Sequence, residues 1–577
     1  MKTISYLTTK NIGQKITING WVKKTRRLGE LIFLDLRQQN HLTQIVVNKK
    51  SSSYELALSL RSEDVISVVG KVVLRKSKND KILTGHIEIF ANEISLISKA
   101  KNPPLILEEK TDALEELRME YRYLDLRRPN LNKMIRIRSQ FNQLLRTHFL
   151  EESFIEIETP YITKPTIGGA GELKILSQNH PNKYYSLTQS PQIYKQLLMY
   201  GGFEKYFQIA RCFRDEDSRA DRQLEFSQLD LELTFTSEQE VKSYIESLFV
   251  KIFKQFLNQK LKTPFLNLSY ETALNNYGSD KPDLRFDYQL IDLSAIFSKS
   301  VIPFFATKFN QKNINLDEKK VIKAVCFEQN LSNNLLKKID QDLKQQKSSG
   351  MFVVKIENQK PINKNAGLLN DEELKQLLKL VNKKSFSCLI IVDEWKKSCE
   401  FTGKIRLSVA KDLDLIDEKK MSILWITDWP LFGLNENKDL ESLHNPFSAI
   451  ALKDQKSFAE MMNTNKLNYE NVLKLKSQAY DLVLNGSEIG GGAIRINDRK
   501  QQEQIFHVLG ISTSELEKAF AWFLKAQEFG IPQHGGIALG IDRILAVLFN
   551  VRSIRDVIAF PKSSSGIDNM MKAPITK

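Results

Sequence analysis

Residues 212–230, CFRDEDSRADRQLEFSQLD, combine arginines and carboxylates with the alternation of a β-strand. The alternation begins in the second half of this segment and continues just past its end, through Phe226, Gln228, Asp230 and Glu232. Pairing with the preceding ARCFR in an antiparallel hairpin would place Arg214 on the face of the first three of them. A guanidinium for phosphate, a ring for adenine and an acceptor for an amine together suit a nucleotide. The same residues also fit a salt-bridged surface hairpin, so a second indication is needed.

A second segment of chemical interest is GGIALGIDRILAVLF, residues 535–549. Glycines in a strand let a ligand approach the backbone, and Arg543 follows near the start of an apolar helix. An arginine in such a place is more often part of a structural ion pair. Its interpretation therefore depends on the motifs that accompany it.

The charge of the chain is positive and concentrated near its beginning. Lys and Arg number 84 against 69 Asp and Glu, a formal charge of +15, and residues 1–100 contain 17 basic and 8 acidic residues, which is +9. This balance favours a polyanionic partner, although a lysine-rich solvated surface has the same composition.

Cysteine usage and hydropathy indicate the compartment. The four cysteines form no CxxC pair, which argues against a zinc site and a disulfide framework. The first residues lack the apolar core of a signal peptide, and no apolar run reaches the roughly 20 residues of a membrane span. We therefore expect a cytoplasmic protein with no membrane partner.

Several elements must position these residues. Five short strands between residues 14 and 98, with one helical stretch, predict an OB-fold β-barrel. A helix, a strand and Pro160 then form one unit, and the composition changes near residue 290. The expected α+β chain consists of the barrel at 1–100, a linker at 101–133, a mixed part at 134–289, an inserted α/β module at 290–415 and a second mixed part at 416–577.

The order of these motifs resembles the three motifs of class II aminoacyl-tRNA synthetases, whose active site is an antiparallel sheet. The blocks YRYLDLRRP, TQSPQIYKQLLM, GSDKPDLR, EIGGGAIRI and IRDVIAFPK are similar to aspartyl-tRNA synthetases of the bacterial type. Several long blocks in one order are more specific than a single short motif. The resemblance implies that 134–289 and 416–577 form the catalytic domain.

The resemblance implies binding of L-aspartate and ATP. Lys195 and Arg495 would select a carboxylate over a carboxamide, although without the family pattern both could be surface charges. Asp230 would hold the substrate ammonium. The other implied aspartate ligands are Ser190, Gln192, Gln228 and His444.

For ATP, the resemblance implies adenine on Phe226 with its amino group near Glu216. Arg214 would act catalytically at the α-phosphate and Arg543 near the γ-phosphate. Asp481 and Glu488 would hold Mg²⁺, with Glu488 also contributing to the ATP site. No protein nucleophile is needed, because the aspartate carboxylate itself attacks the α-phosphorus.

The resemblance implies tRNA(Asp) as the partner and leaves open whether tRNA(Asn) is also charged. Arg219 and Arg222 would reach the acceptor end. The anticodon contacts implied on the barrel are Lys24, Arg26, Phe33, Gln44 and Glu88. Phe33 could stack an unpaired base or belong to the barrel core. A homodimer with its contact around Pro160 is also implied.

Three departures from the family pattern are evident, and the first two concern the site. Gly168 and Gly171 stand where glutamate and the residues of Gly-Ala-Arg-Asp are usual, and Asn445 replaces a second histidine beside His444. A C-terminal helix is expected to be short. A lysyl or asparaginyl relative is disfavoured by Lys195 and Arg495, and a catalytically silent RNA-binding paralogue would be expected to lose phosphate or metal ligands that are present here.

Overall fold

The computed structural model describes residues 7–38, 41–165, 171–217, 219–309, 320–435, 437–463 and 468–575. The chain divides into two compact units. The barrel unit consists of Met1–Gln140, Asp217–Gln223 and Ser553–Lys577, and the sheet unit of Phe141–Glu216 and Leu224–Arg552. Each unit is built around its own β-structure.

The barrel unit contains the predicted five-stranded barrel, closed in the order β1-β2-β3-β5-β4. Its elements are β1 (Lys15–Leu28), β2 (Leu31–Gln38), β3 (His41–Asn48), α1 (Tyr54–Ser59), β4 (Val65–Leu74) and β5 (Ile87–Ser98). Alternation decides which side chains enter it. On β2, Ile32, Leu34 and Leu36 are fully buried, whereas Phe33 points to the opposite face and is half-buried. The prediction of an OB-fold barrel is confirmed.

The segment expected to be a linker, 101–133, contains ordered structure in the barrel unit. Its helices are α2 (Glu115–Glu120) and α3 (Arg122–Asp125), and α4 (Pro129–Glu151) begins at its end. Arg122 is buried and donates to the carbonyl oxygens of Ala559, Arg555 and Ile558 at 2.8–2.9 Å. Asp125, fully buried, accepts hydrogen bonds from three arginines: Arg118, Arg122 and Arg128. This network ties the segment to the end of the chain.

Substituting Asp125→Asn is expected to destabilise the barrel unit by about 3–5 kcal/mol, because it leaves buried guanidinium groups without their carboxylate. Burial alone would raise the pKa of Asp125, but hydrogen bonds from Arg118 and Arg128 outweigh it and lower the pKa. The contribution is therefore present above the ordinary carboxyl pKa and is lost as the pH falls through the lower folded value. Urea unfolding at several pH values measures both effects.

The exposed Asp112→Asn is the matched control, and we expect it to change stability by less than about 0.5 kcal/mol. An Asp125→Asn protein as stable as this control would show that the arginines do not depend on the carboxylate.

The sheet unit is organised around eight strands in the order β12-β18-β21-β22-β23-β11-β10-β6. The first part of the unit contributes β6 (Ile155–Glu156), β7 (Ile162–Thr163), β8 (Lys174–Leu176), β9 (Tyr184–Leu187), α5 (Gln192–Tyr200), β10 (Lys205–Phe213), β11 (Glu225–Thr234), α6 (Glu238–Ile252), β12 (Leu266–Ser269) and α7 (Tyr270–Tyr277). The pairs β10–β6 and β12–β18 are parallel, and the other neighbouring pairs are antiparallel. The expected antiparallel sheet is confirmed.

A second sheet, ordered β13-β14-β17-β15-β16, lies within the region expected to be an inserted α/β module. Its elements are β13 (Leu290–Asp292), α8 (Ser294–Phe297), α9 (Pro303–Ala306), β14 (Lys320–Phe327), α10 (Asn333–Gln345), β15 (Phe352–Glu357), β16 (Lys360–Pro361), α11 (Asp371–Val381), β17 (Phe386–Glu394) and α12 (Trp395–Asp412). Helix α11 begins with a capping box, in which Asn370 and Glu373 each accept from the other's backbone N–H. Alternate side chains of β17 enter two hydrophobic clusters, one on each face of this sheet.

The remaining elements include the other four strands of the eight-stranded sheet, β18, β21, β22 and β23, and a separate two-stranded sheet formed by β19 and β20. They are β18 (Ile423–Thr427), β19 (Phe432–Leu434), β20 (Leu440–Ser442), α13 (Gln455–Asn463), α14 (Tyr469–Lys474), β21 (Ala479–Leu484), β22 (Ser487–Ile494), α15 (Arg499–Val508), α16 (Thr513–Ala519), α17 (Ala521–Ala526), β23 (His534–Gly540) and α18 (Ile541–Leu548). All six residues of β21 are buried, and Asp481 is its one charged residue. Among the described helices, none combines the length and apolar character needed to cross a membrane.

Candidate active site

The hairpin predicted from the opening segment is formed by β10 and β11. Their register pairs Gln208 with Asp230 and Cys212 with Phe226. Arg214 follows the end of β10, where its backbone N–H donates to the Leu224 carbonyl at 2.8 Å. The Arg214 guanidinium lies over the Phe226 ring, 5.1 Å from its centroid. A cation and an aromatic plane are thus adjacent at one end of the hairpin.

Two cations and two carboxylates form a buried cluster in the sheet unit, which we call the four-charge cluster: Lys195, Asp230, Glu232 and Arg495. Lys195 Nζ lies 3.1 Å from Asp230 Oδ1 and 3.4 Å from Glu232 Oε2. Arg495 donates from Nε to Glu232 Oε1 at 2.9 Å and from Nη2 to Glu232 Oε2 at 3.3 Å. Each side chain is at least 98% buried. Glu232 therefore bridges Lys195 and Arg495, the two cations predicted to bind aspartate.

The two carboxylates of the cluster differ in their electrostatics. Burial alone would raise the pKa of Glu232, but the charges of Arg495 and Lys195 outweigh it and hold the pKa below its usual value. Burial raises the pKa of Asp230 despite the neighbouring Lys195. Asp230 Oδ2 is buried and accepts no hydrogen bond from any described residue. A second cation placed at Oδ2 would satisfy this oxygen.

Glycines keep the floor of the site free of side chains. A Cβ at Gly536 on β23 would lie 2.2 Å from Glu232 Oε2, and a Cβ at Gly491 on β22 would lie 2.5 Å from Asp481 Oδ1. Any larger residue would displace one of these carboxylates. The glycine-rich segments of the sequence thus allow close approach of acidic side chains as well as of a ligand.

A second acidic pair lies on β21 and β22. Burial raises the pKa of Glu488, and the charge of Asp481 raises it further. Arg543 Nη1 donates to the backbone carbonyl of Glu488 at 2.7 Å. No group of three or more His, Cys, Asp or Glu side chains in the described ranges is arranged to hold a metal ion. Two carboxylates are nevertheless the oxygen donors with which Mg²⁺ can be held beside substrate phosphates.

The departure at Asn445 has a defined place in the structure. Asn445 Nδ2 lies 2.9 Å from His444 Nδ1, and His444 Nε2 lies 3.0 Å from Asp481 Oδ1. Because the amide NH₂ can only donate, Nδ1 accepts and the ring proton resides on Nε2, from which it is donated to Asp481. Asn445 thus fixes the imidazole tautomer.

The other departures are placed as follows. Gly168 lies outside the described residues. A Cβ at Gly171 would lie 2.2 Å from the Asp215 carbonyl oxygen, and the Asp215 N–H donates to the Gly171 carbonyl at 2.9 Å. A side chain at 171 would break this contact with the hairpin.

A cavity of about 470 Å³ opens beside these groups in the sheet unit. Four predicted residues line it: Ser190, Gln192, Arg214 and His444. Phe447, Phe520 and Trp522 contribute aromatic walls. The four-charge cluster does not line this cavity. The predicted residue Gln228 lies on β11, where it accepts a hydrogen bond from Cys212 Sγ at 3.2 Å. Arg219 and Arg222 belong to the barrel unit, where the Arg219 carbonyl accepts from Arg555 Nη1 at 3.4 Å.

The five predicted anticodon residues share the outer face of the barrel. Arg26 is paired with Phe33 across β1 and β2, and Lys24 with Asp35 in the same ladder. Gln44 Nε2 donates to Glu88 Oε2 at 2.7 Å. Phe33 thus lies outside the barrel core, among polar and cationic side chains.

Sequence reasoning missed residues in both units. Glu232 continues the alternation of Phe226 and Asp230, but the sequence alone predicts no role for it. Asp35, which accepts from Arg26 Nη2 at 2.7 Å, and the exposed Phe90 also lie on the outer barrel face. Strand alternation could have identified all three, because each lies two residues from a predicted residue on the same strand: Glu232 from Asp230, Asp35 from Phe33 and Phe90 from Glu88.

Comparisons with known proteins agree with this arrangement. The family described as tRNA synthetases class II (D, K and N) matches residues 114–564, and the OB-fold nucleic acid binding domain matches residues 16–97. The aspartate–tRNA ligase of Mesoplasma florum is 40% identical over 570 residues, covering 98% of this chain and 96% of the relative. The aspartate–tRNA(Asp/Asn) ligase of Aquifex aeolicus is 39% identical over 574 residues, covering 98% and 94%.

Solved structures show the same fold. The asparaginyl-tRNA synthetase of Pyrococcus horikoshii, complexed with asparaginyl-adenylate, has a TM-score of 0.58 at 18% identity and covers 97% of this chain and 99% of that one. The aspartyl-tRNA synthetase of Entamoeba histolytica has a TM-score of 0.56 at 18% identity, covering 97% and 92%. With an OB-fold barrel, an antiparallel sheet holding paired charges, and relatives that match over nearly its whole length, this chain belongs to the class II tRNA synthetases of the D, K and N family.

Proposed function

We propose that this enzyme is an aspartate–tRNA ligase, which activates L-aspartate with ATP and transfers it to the 3′ end of tRNA(Asp). The observation that supports this most directly is the four-charge cluster, in which Lys195 of α5 and Arg495, which follows β22, meet the two carboxylates of β11. Such a cluster can bind the ammonium group and the side-chain carboxylate of an acidic amino acid.

Aspartate recognition rests on hydrogen-bonding capacity that remains in the cluster. Asp230 Oδ2 receives the substrate ammonium. The bonds from Arg495 to Glu232 use Nε and Nη2, which leaves Nη1 as the donor that would bind the side-chain carboxylate of the substrate, together with Lys195. Asparagine would offer an amide NH₂ to these donors, which costs affinity because donors then face donors. Ser190, Gln192, Gln228 and His444 complete the amino-acid site.

ATP binds at the end of the hairpin. Adenine stacks on Phe226 with its amino group at Glu216, while Arg214 meets the α-phosphate and Arg543 the γ-phosphate. The aspartate carboxylate attacks the α-phosphorus in line, and pyrophosphate leaves. Both arginines stabilise the charge that develops on phosphate oxygens.

Asp481 and Glu488 would hold Mg²⁺, which supplies positive charge to the phosphates when it is bound with ATP. Their chemistry fits a cation, because the pKa of Glu488 is raised by burial and by Asp481, and a divalent ion would relieve the repulsion between the two carboxylates. Two carboxylates leave coordination positions for water and phosphate oxygens.

The second step transfers aspartate to a ribose hydroxyl of tRNA. Arg219 and Arg222 are proposed to contact the acceptor end. The anticodon binds on the outer barrel face, where Phe33 supplies a stacking plane and Lys24, Arg26, Gln44 and Glu88 supply polar contacts. The excess of +9 in residues 1–100 favours a polyanion as the partner of this segment.

Substituting Phe33→Ala is expected to raise the KM for tRNA about 5- to 150-fold, the range that corresponds to one stacked base. Aspartate-dependent ATP–pyrophosphate exchange should be unchanged, because that reaction needs no tRNA. Leu74→Ala, an exposed apolar change on β4, is the matched control. A normal KM for tRNA in the Phe33→Ala protein would remove Phe33 from the anticodon site.

The proposal is tested by ATP–pyrophosphate exchange with aspartate and with asparagine, followed by charging of tRNA(Asp) and tRNA(Asn). We expect exchange that requires aspartate and Mg²⁺. Charging of tRNA(Asn) as well would assign this chain the dual activity that the name of the Aquifex aeolicus relative states. No exchange in a folded sample would favour an RNA-binding protein without catalysis.

The assembly is proposed to be a homodimer in the cytoplasm. Exposed apolar side chains near Pro160 support a subunit contact there: Ile155, Tyr161, Ile162, Leu176, Tyr184 and Tyr185. The four cysteines are free thiols, as expected in a reducing compartment. Sedimentation equilibrium tests the dimer, and a monomer at micromolar concentration would contradict it.

A further inference from the structure

The block GSDKPDLR, residues 278–285, is one of the segments similar to aspartyl-tRNA synthetases, and it contains Lys281. It follows α7, whose C-cap residue is Gly278, in the left-handed region with φ +68°. A Cβ at Gly278 would lie 2.2 Å from the Cys399 carbonyl oxygen and 2.6 Å from Gly403, both on α12. The chain therefore leaves α7 in close contact with α12.

The second half of this loop is held rigidly. Asp283 Oδ1 accepts from the backbone N–H of Arg285 at 3.0 Å, and Oδ2 accepts from Arg285 Nη2 at 2.7 Å. Buried Arg406 donates from Nη2 to the carbonyls of Asp283 and Phe286 at 3.0 and 3.1 Å. Such bonds fix the backbone of a loop without regular secondary structure.

The loop packs on the turn that joins β21 to β22. A Cβ at Gly486 would lie 2.9 Å from Asp283 Cβ, and Glu488 follows Gly486 by two residues, on β22. The charge of Lys281 lowers the pKa of Glu488 more strongly than that of Arg543 does, although burial and Asp481 raise it overall. Lys281 precedes Asp283 by two residues and Glu488 follows Gly486 by two, so the contact between Asp283 and Gly486 places the lysine near the carboxylate proposed for the ATP site.

The Lys281 ammonium is also accessible. Its side chain is 48% exposed, and its Nζ lies 4.0 Å from Asp280 Oδ1, an exposed contact that contributes little energy. A rigid loop that presents an accessible ammonium beside the end of an ATP site is suited to bind phosphate oxygens.

We propose that Lys281 contacts the β- and γ-phosphates of ATP and stabilises the departing pyrophosphate, an inference that rests on the proposed function. When the aspartate carboxylate oxygen bonds to the α-phosphorus, the bond from phosphorus to the bridging oxygen breaks and pyrophosphate takes its electron pair. The Lys281 ammonium retains its proton and neutralises part of this charge, alongside Arg543.

Lys281→Ala should raise the Kd for inorganic pyrophosphate, measured by calorimetry with Mg²⁺, about 10- to 100-fold. Pre-steady-state adenylate formation should slow by a similar factor, and the KM for aspartate should stay unchanged. Lys281→Arg should recover most of the affinity, since it retains the charge. Lys260→Ala removes an exposed lysine from another part of the same unit, and its Kd for pyrophosphate should equal that of the unaltered protein.

Unchanged pyrophosphate affinity in Lys281→Ala overturns the inference, whether or not the chain shows exchange activity. An equal rise in the KM for aspartate also overturns it, because the lysine would then act on the site as a whole. Weakened pyrophosphate binding in a chain that shows no aspartate-dependent exchange would support this contact and would count against the proposed function alone.

Discussion

Substituting Arg495→Leu is expected to reduce aspartate-dependent exchange at least about 1,000-fold, while the affinity for ATP stays within about threefold of the unaltered protein. Leucine occupies much of the buried volume but offers no donor to the substrate carboxylate. Arg495 contacts Glu232 and no predicted ATP residue, so the loss should concern aspartate alone. Steady-state exchange and fluorescent ATP binding measure the two quantities.

Arg499→Leu is the matched control for this change. Arg499 lies four residues later at the start of α15, where it forms exposed pairs with Glu503 and Glu528, and its loss should leave exchange unaltered. Equal loss of ATP and aspartate binding in Arg495→Leu would contradict the assigned role. The melting temperature must be recorded, because part of any loss can come from the buried ion network.

Substituting Glu232→Gln is expected to lower the free energy of unfolding by about 3–5 kcal/mol and to remove most of the affinity for aspartate. The four-charge cluster would then hold two cations and one carboxylate in a buried place. Because the folded pKa of Glu232 is lowered, the carboxylate stabilises the protein above its ordinary pKa and loses this effect as the pH falls through the folded value. The variant should therefore show a flatter acid side of its stability profile.

Glu503→Gln provides the comparison. Glu503 forms an exposed i,i+4 pair with Arg499, and losing it should cost less than about 1 kcal/mol. Denaturant unfolding between pH 3 and 8 separates the two variants. If both variants show the same stability and the same acid slope, Glu232 does not organise the cluster.

Much of the local structure followed from the sequence, because strand alternation has a period of two and depends only on neighbouring residues. It predicted the β10–β11 hairpin and the face shared by Phe226 and Asp230. It also predicted the barrel, in which burial of Ile32 and Leu34 leaves Phe33 outside. The order of the motifs, rather than any one of them, indicated the family.

Interactions between distant residues required the tertiary structure. Arg495 and Glu232 are 263 positions apart, and their contact exists because β22, β23 and β11 are neighbours in one sheet. The sequence presented Lys195 and Arg495 as two cations for a substrate, whereas the fold shows them already shared by Glu232. Likewise, the Nε2–H of His444 finds its acceptor on Asp481, which is 37 positions away.

The sequence by itself therefore determined which residue types stand on each face of each strand, since that is a local property of the backbone. Only the packed structure decided which charges share one site, because ion pairs form between elements that sequence separation does not relate. The loop containing Lys281 shows the same division. The sequence identifies the residues of this loop, but the position of the loop beside Glu488 depends on its contacts with Gly486 and Arg406.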